Sequence, residues 1–295
     1  MLRALLKSMR PRQWTKNAFL FAALVFDGKL FHLPDFLRTL GGFGLFCLIS
    51  SAVYIFNDLL DVEADRQHPV KKNRPIASGK LPVQAAILSG ATLSLLAILL
   101  GYLLAWQFAL TILVYFAIML AYSKWFKHVP ILDVLILASG LVLRVHAGTT
   151  LITVERFSPW LYVLMTLLAL YLGFGKRRAE LALLANDAPN HPHSGSFRKA
   201  LDGYTIPLLD QFITIVSGTT IVAYSLYTFF RPETPGNHAL MLTIPFVIYA
   251  IFRYLYLIQV KEIGGEPEEV LLSDRPFQIS IFLWGLSVLV VFYLT

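Results

Sequence analysis

Apolar residues in this chain run in long blocks rather than in the alternating or three-to-four pattern of a water-soluble fold. Nine blocks are long enough to read as helical spans, at about 18–33, 37–57, 83–104, 106–123, 130–151, 159–175, 205–229, 239–260 and 277–294. A helix of about 20 such residues crosses a hydrocarbon core of about 30 Å. The third and fourth blocks meet around Ala105, Trp106 and Gln107, which predicts a tight hairpin. The first is the weakest, interrupted by Asp27 and Lys29. Ahead of it, residues 2–9 set Leu2, Leu5, Leu6 and Met9 against Arg3 and Lys7, the pattern of a short helix lying in the membrane interface.

The polar positions between the blocks fix an orientation. Nineteen Lys and Arg fall in alternate connections and four (Lys29, Arg38, Arg156, Arg231) in the others, with Arg144 and Arg253 inside spans. The positive-inside bias then places the N-terminus in the cytoplasm, together with loops at about 58–81, 124–128, 176–203 and 261–276. No linker divides the chain. It reads as a single polytopic domain, 1–295, whose residues 1–16 form an interfacial N-terminal segment. The expected fold is an all-α integral membrane protein with about nine transmembrane helices, in the plasma (inner) membrane.

Composition sharpens this. Of 295 residues, 57% are hydrophobic and only 15% charged, with a mean hydropathy of +0.65. Soluble domains carry nearer a quarter charged residues. The net charge of +7 suits anionic lipid at the inner face. The basic residues are scattered among short loops, so no nucleic-acid partner is expected. A single cysteine, Cys47, provides neither a disulfide nor a thiolate metal site.

Candidate chemistry collects where the second block meets water. Asn57-Asp58-Leu59-Leu60-Asp61-Val62-Glu63-Ala64-Asp65-Arg66 sets three aspartates at i, i+3 and i+7. On a straight helix Asp58 and Asp65 stand nearly one above the other, with Asp61 roughly 60° aside. Such crowding is costly unless a cation sits among the acids. Hard oxygen donors suit Mg²⁺, which takes one or two carboxylates and completes its shell with water and phosphate oxygens. His68, Lys71, Lys72 and Arg74 follow, with Pro69 after the histidine and Pro75 after the arginine. These cations either fix topology or grip phosphate, and the prolines favour a loop held in place. Carboxylates beside such a loop read as a diphosphate site at a membrane surface.

A second set ends the sixth block: Lys176, Arg177, Arg178 and Glu180. It serves either as helix-end cations or as another phosphate clamp, with Glu180 orienting an arginine. Tyr122, Ser123 and Lys127 precede Asp133, which lies within a span and is a functional candidate for that reason. Asp133 and Arg144, eleven residues apart, share one helix face at a distance too great for direct pairing. Arg10-Pro11-Arg12-Gln13-Trp14-Thr15-Lys16-Asn17 reads equally as an aromatic-belt anchor. The polar stretch at about 185–203 reads as a mobile loop, and the acidic Gly264–Glu269 with Asp274 and Arg275 as a solvated one. No nucleotide P-loop, zinc-protease or serine-hydrolase motif is present, and the aspartate run lacks the marks of the CDP-alcohol phosphotransferases.

Asn57-Asp58, Asp61 and Asp65 stand as the first aspartate-rich motif, NDxxDxxxD, of the UbiA superfamily of intramembrane prenyltransferases, which the chain resembles over nearly its full length. The superfamily's second motif, DxxxD, is replaced by Lys176-Arg177-Arg178-Ala179-Glu180. That departure resembles one branch, the decaprenyl-phosphate phosphoribosyltransferases, as do Arg10-Pro11 with Gln13-Trp14 and Lys16-Asn17, Asp65 to Gly79, Tyr122-Ser123 with Lys127 and Asp133, and Pro267-Glu268-Glu269. The resemblance implies a helical bundle around a central cavity open to the cytoplasmic side. It also implies transfer of a phosphoribosyl group from phosphoribosyl diphosphate (PRPP) to a polyprenyl phosphate, feeding arabinofuranose donors for cell-envelope glycans. Under this reading Asp58, Asp61 and Asp65 are catalytic and hold Mg²⁺, with Mn²⁺ open as an alternative. Asn57, Arg66, Lys71, Lys72, Arg74, Tyr122, Lys176, Arg177 and Glu180 bind PRPP, Lys16 and Lys127 hold the lipid phosphate, and Asp133 and Arg144 support the site. Homo-oligomerisation stays open. The rival readings are an aromatic prenyltransferase of quinone or haem biosynthesis and, in another class, an anionic-solute transporter.

Overall fold

The computed structural model describes residues 1–68, 70–155, 159–187, 201–230, 238–261, 270 and 273–293. Pro69, the polar stretch 188–200 and the acidic stretch 264–269 lie outside them. Every regular element among the described residues is helical: α1 (Leu2–Ser8), α2 (Phe21–Phe26), α3 (Leu33–Leu60), α4 (Val62–Gln67), α5 (Val83–Leu104), α6 (Trp106–Lys124), α7 (Leu132–Thr149), α8 (Pro159–Asp187), α9 (Ile206–Phe230), α10 (Ile244–Gln259) and α11 (Arg275–Tyr293). Short 3₁₀ segments join them, the longest being Pro11–Leu20.

Eight helical stretches among the described residues are long and apolar enough to span a membrane. Their outward faces are apolar, as Leu103 (79% exposed) and Leu88 (70%) on α5 and Phe282 (67%) on α11 illustrate. Lipid is the solvent in which such a surface is stable. The chain is therefore a multi-pass membrane protein.

The structure departs from the nine expected spans at the first. Residues 18–33 do not form one spanning α-helix: the Pro11–Leu20 segment gives way to six residues of α2, which ends at Asp27. Gly28 then turns the chain at φ +74°, a conformation open to glycine. Asp27 accepts the Glu155 backbone N–H (3.0 Å) and pairs with Lys29 (3.0 Å), so the two charges that weakened the block mark its end. A second departure lies in α8, which continues through Lys176–Glu180 to Asp187, where a loop was expected.

The chain packs as two compact units, Met1–Lys127 with Gly140–Glu155, and His128–Ser139 with Arg156–Thr295. In the first, α3 lies against α5 and α6. Met9, Ile55, Ile76, Leu81 and Ala86 form a buried cluster that joins the N-terminal segment, α3, α5 and the 75–81 connection. In the second, α8 packs on α9 and α10 on α11, around Tyr171, Phe174, Leu209, Ile213 and Tyr254.

Close approach at one glycine generates a test. A methyl group on Gly148 would lie 2.0 Å from the Leu20 carbonyl oxygen, whereas one on Gly44 meets nothing within 4 Å. Overpacking of this kind costs about 1–3 kcal/mol. Gly148→Ala should lower the apparent melting temperature in detergent by several degrees, while Gly44→Ala leaves it unchanged or raised. Equal melting temperatures for both variants would refute this packing.

Candidate active site

The acidic motif is built where α3 runs out of apolar sequence. Leu60 is its last residue, and Asp61, at φ −97° and ψ 4°, links it to α4. The helical hydrogen bonds continue across the link, from Asp61 N–H to the Asn57 carbonyl (3.0 Å) and from Asp65 N–H to that of Asp61 (2.8 Å). The path is bent, not broken.

That bend separates the three acids. Asp58, 2% exposed, accepts Arg10 Nη2 at 2.5 Å and Arg74 Nη1 at 3.0 Å on the same oxygen, Oδ1. The same Arg74 nitrogen donates to buried Asp65 Oδ2 at 2.7 Å. Asp61 instead pairs with Lys127, which reaches it from the 3₁₀ turn after α6. The expected clasp of three carboxylates around one point is thus not the arrangement present. Among the described residues, no three His, Cys, Asp or Glu side chains converge as a metal-holding group. Asp61, already aside on a straight helix, sends its carboxylate to Lys127, while Asp58 and Asp65 share Arg74. Asp58 and Asp65 remain joined through one guanidinium, and two buried carboxylates are a donor set that fits Mg²⁺ when phosphate oxygens complete the shell.

Arg74 is placed by the connection that carries it. The Lys71–Asn73 turn closes with Arg74 N–H donating to the Lys71 carbonyl (2.9 Å). Beyond it, Ser78 N–H returns to the Arg74 carbonyl (2.9 Å) and Leu81 N–H to that of Pro75 (2.9 Å). Ile76 and Leu81 are buried, so the loop is anchored by apolar side chains as well as by hydrogen bonds. At its start, His68 Nδ1 accepts the N–H groups of Val70 (3.1 Å) and Lys71 (3.2 Å). Burial and then the Lys71 charge push the imidazole below its usual range, keeping neutral the form that can accept.

Arg10 was read from sequence as part of an interfacial motif and of the branch resemblance, without a role of its own, yet it contacts Asp58 directly. Its backbone is left-handed (φ 52°), with Pro11 next, and its guanidinium stacks 4.9 Å over the Tyr54 ring. The pair spans 48 residues, and its one sequence signal was an arginine fixed by the following proline.

The remaining expected residues distribute as follows. Asn57 is half-buried at the end of α3, and its side-chain amide takes no partner among the described residues. Arg66 turns to Glu63 (2.8 Å) and to the Ala77 carbonyl (3.4 Å), away from the acids it adjoins in sequence. Lys72 is exposed, while Lys71, Lys16 and Tyr122 are half-buried.

In the second unit, Arg177 is 2% exposed and donates to Asp133 (2.6 Å) and Glu180 (2.7 Å). Tyr204 O–H donates to the other Asp133 oxygen (2.7 Å) and accepts Ile131 N–H (2.5 Å). Burial, then the bond to Asp133, raises its phenol pKa. Arg177 is thus enclosed with Asp133 as its anchor, where the sequence left open either helix-end cations or a phosphate clamp. Arg178 is held by Asp210 (2.6 Å) and the Ile258 carbonyl (2.9 Å), and Lys176 is half-buried.

Comparison with known proteins places this geometry. The profile of the UbiA prenyltransferase family matches residues 18–176. The chain is 34% identical to a decaprenyl-phosphate phosphoribosyltransferase of Corynebacterium glutamicum, over 98% of this chain and 87% of that protein. It is 35% identical to the protein of that name in Mycolicibacterium smegmatis, over 95% and 89%. Among solved structures, a UbiA homolog from Archaeoglobus fulgidus, bound to GPP and Mg²⁺, superposes with a TM-score of 0.71 at 19% identity, covering 98% of this chain and 99% of that one.

The His68 geometry gives a pH prediction. A histidine whose folded pKa lies below 6.5 stabilises the fold fully above pH 6.5 and loses that contribution as pH falls through the folded value. An NMR titration of labelled histidine, assigned with His68→Gln, should show its inflection below 6.5. An inflection at or above 6.5 contradicts the acceptor role.

Proposed function

Because the chain belongs to the UbiA prenyltransferase family, we propose that it transfers the 5-phosphoribosyl group of PRPP to a polyprenyl phosphate of the decaprenyl type, releasing diphosphate. The observation that carries this reading is the near full-length similarity to relatives bearing that activity as their name. The charge inventory supports it. PRPP brings a diphosphate and a separate 5-phosphate, and Arg10, Arg74, Lys127, Lys71 and Lys72 supply an excess of cation over a site for one diphosphate.

Arg10 and Arg74 are held by Asp58 and Asp65, and Lys127 by Asp61. Mg²⁺, held by Asp58 and Asp65, would supply charge stabilisation to the departing diphosphate. Arg10 and Arg74 then exchange carboxylate for phosphate oxygen, with Arg74 presenting a fork suited to two oxygens. The half-buried Asn57 amide adds a neutral donor. Lys127 orients the lipid phosphate, which is already anionic at neutral pH and needs no strong general base. An oxygen of that phosphate forms a bond to ribose C1 as the C1–O bond to diphosphate breaks. The leaving group departs with the bonding electrons, and the configuration at C1 inverts. The site faces the cytoplasm across the inner membrane, in keeping with the lysine and arginine bias of the loops.

Membranes containing the protein, given labelled PRPP, polyprenyl phosphate and Mg²⁺, should move label into lipid. Labelled prenyl diphosphate passing to an aromatic acid, with no lipid labelling from PRPP, would replace this reading by aromatic prenylation. Asp58→Asn and Asp65→Asn should each lower turnover by about 10²–10³-fold, the scale of losing a preorganised charge contact. Asp61→Asn should act mainly through the KM for the lipid phosphate, since Asp61 engages Lys127. Near-normal Mg²⁺-dependent rates in both Asp58→Asn and Asp65→Asn would remove the metal assignment.

A further inference from the structure

Arg144 lies in the apolar interior of α7 and is 7% exposed. Its donors go to neutral groups: Nε to Asn17 Oδ1 (2.9 Å), Nη1 to the Gly140 carbonyl (2.7 Å) and Nη2 to the Tyr115 hydroxyl (2.9 Å). The guanidinium also sits 4.8 Å from the Tyr115 ring centroid and 5.3 Å from that of Phe46. Among the described residues no carboxylate pairs with it. An arginine keeps its charge at any physiological pH, so a solitary buried cation in a membrane helix is retained for what it holds.

What it holds is Asn17. Arginine only donates, so the Asn17 amide must turn Oδ1 towards it, and Nδ2 then faces α3. There it donates to Cys47 Sγ (3.2 Å) and Ser50 Oγ (3.2 Å). One turn further along α7, Gly148 admits the Leu20 carbonyl at close range. Nearer the other end, Trp14 Nε1 donates to Ser51 Oγ (3.1 Å). The Pro11–Leu20 segment is thus pinned along its length, and at its head stands Arg10, left-handed and reaching Asp58. A non-glycine residue keeps that backbone only where its surroundings over-determine it.

Building on the functional reading above, we infer that Arg144 is a positioning residue: acting through Asn17, it locks the Pro11–Leu20 segment so that Arg10 is delivered to Asp58 in its strained conformation. Loosening the lock lets Arg10 relax away, and the loss appears at the phosphate end of the site although Arg144 touches no substrate.

The test is a double-mutant cycle on lipid labelling from PRPP, with Arg144→Met, Arg10→Ala and the pair. Arg144→Met should raise the KM for PRPP by about tenfold with a smaller change in kcat, and should add less than about twofold in the Arg10→Ala background. Equal factors in both backgrounds would show a role independent of Arg10 and overturn the inference, as would a Met variant with wild-type KM. Should Arg144→Met fail to fold, Arg144→Lys and Asn17→Ala replace it in the cycle, judged by the same outcomes. Amide exchange supplies a readout free of turnover: Arg144→Lys should speed exchange over residues 10–17 and leave α5 and α6 unchanged. Unaltered exchange over 10–17 rejects the lock. Absence of PRPP transfer in the wild-type protein counts against the functional reading alone, and exchange then decides the inference.

Discussion

Arg74 stands between Asp58 and Asp65, donating to both from a single nitrogen, and much of the first unit is arranged around that contact. Two buried carboxylates so close repel one another, and water cannot screen them. The bend at Asp61, the anchored 74–81 connection and the approach of Arg10 all bring positive charge to that pair. Two guanidiniums beside two carboxylates balance the charge of the group. A guanidinium meets a carboxylate with the same planar fork that it offers to phosphate.

The second unit uses the same pairing for the opposite end. Arg177 sits between Asp133 and Glu180, with Tyr204 completing the Asp133 shell, and Arg177 and Asp133 are both fully buried. Removing one member of such a set leaves a buried charge uncompensated, at about 3–5 kcal/mol. Arg74 is a quarter exposed where Arg177 is enclosed, and the contrast separates an arginine that solvent can reach from one that ties helices together.

What could be read from the chain follows the range of the forces involved. The block at 83–104 coincides with α5 because Pro82 and the Ala105 hairpin stop it at both ends, and those signals are local. The block at 18–33 misled because apolarity reports the preferred solvent and not the path, which Asp27 and Gly28 redirect. Lys176–Glu180 looked like a loop because its charge changed abruptly, yet Ala179 through Leu184 are strong helix formers and α8 simply continues. The acids were legible as a group, since their spacing is short. Their separation into a pair and a single was not, because it depends on one bent residue. Arg10 was visible only as a motif member; its contact with Asp58 is a tertiary fact.

The length of α8 has a consequence for how a water-soluble donor would meet the lipid boundary. Its 29 residues extend about 43 Å, against a hydrocarbon thickness of about 30 Å. The excess is about 13 Å, or two to three turns, and Lys176 to Arg178 lie in the C-terminal half of the helix. There Arg177 and Arg178 are tied to Asp133, Glu180 and Asp210, so the helix carries its charged end as a stiff post and the entropy of organising it was lost during folding.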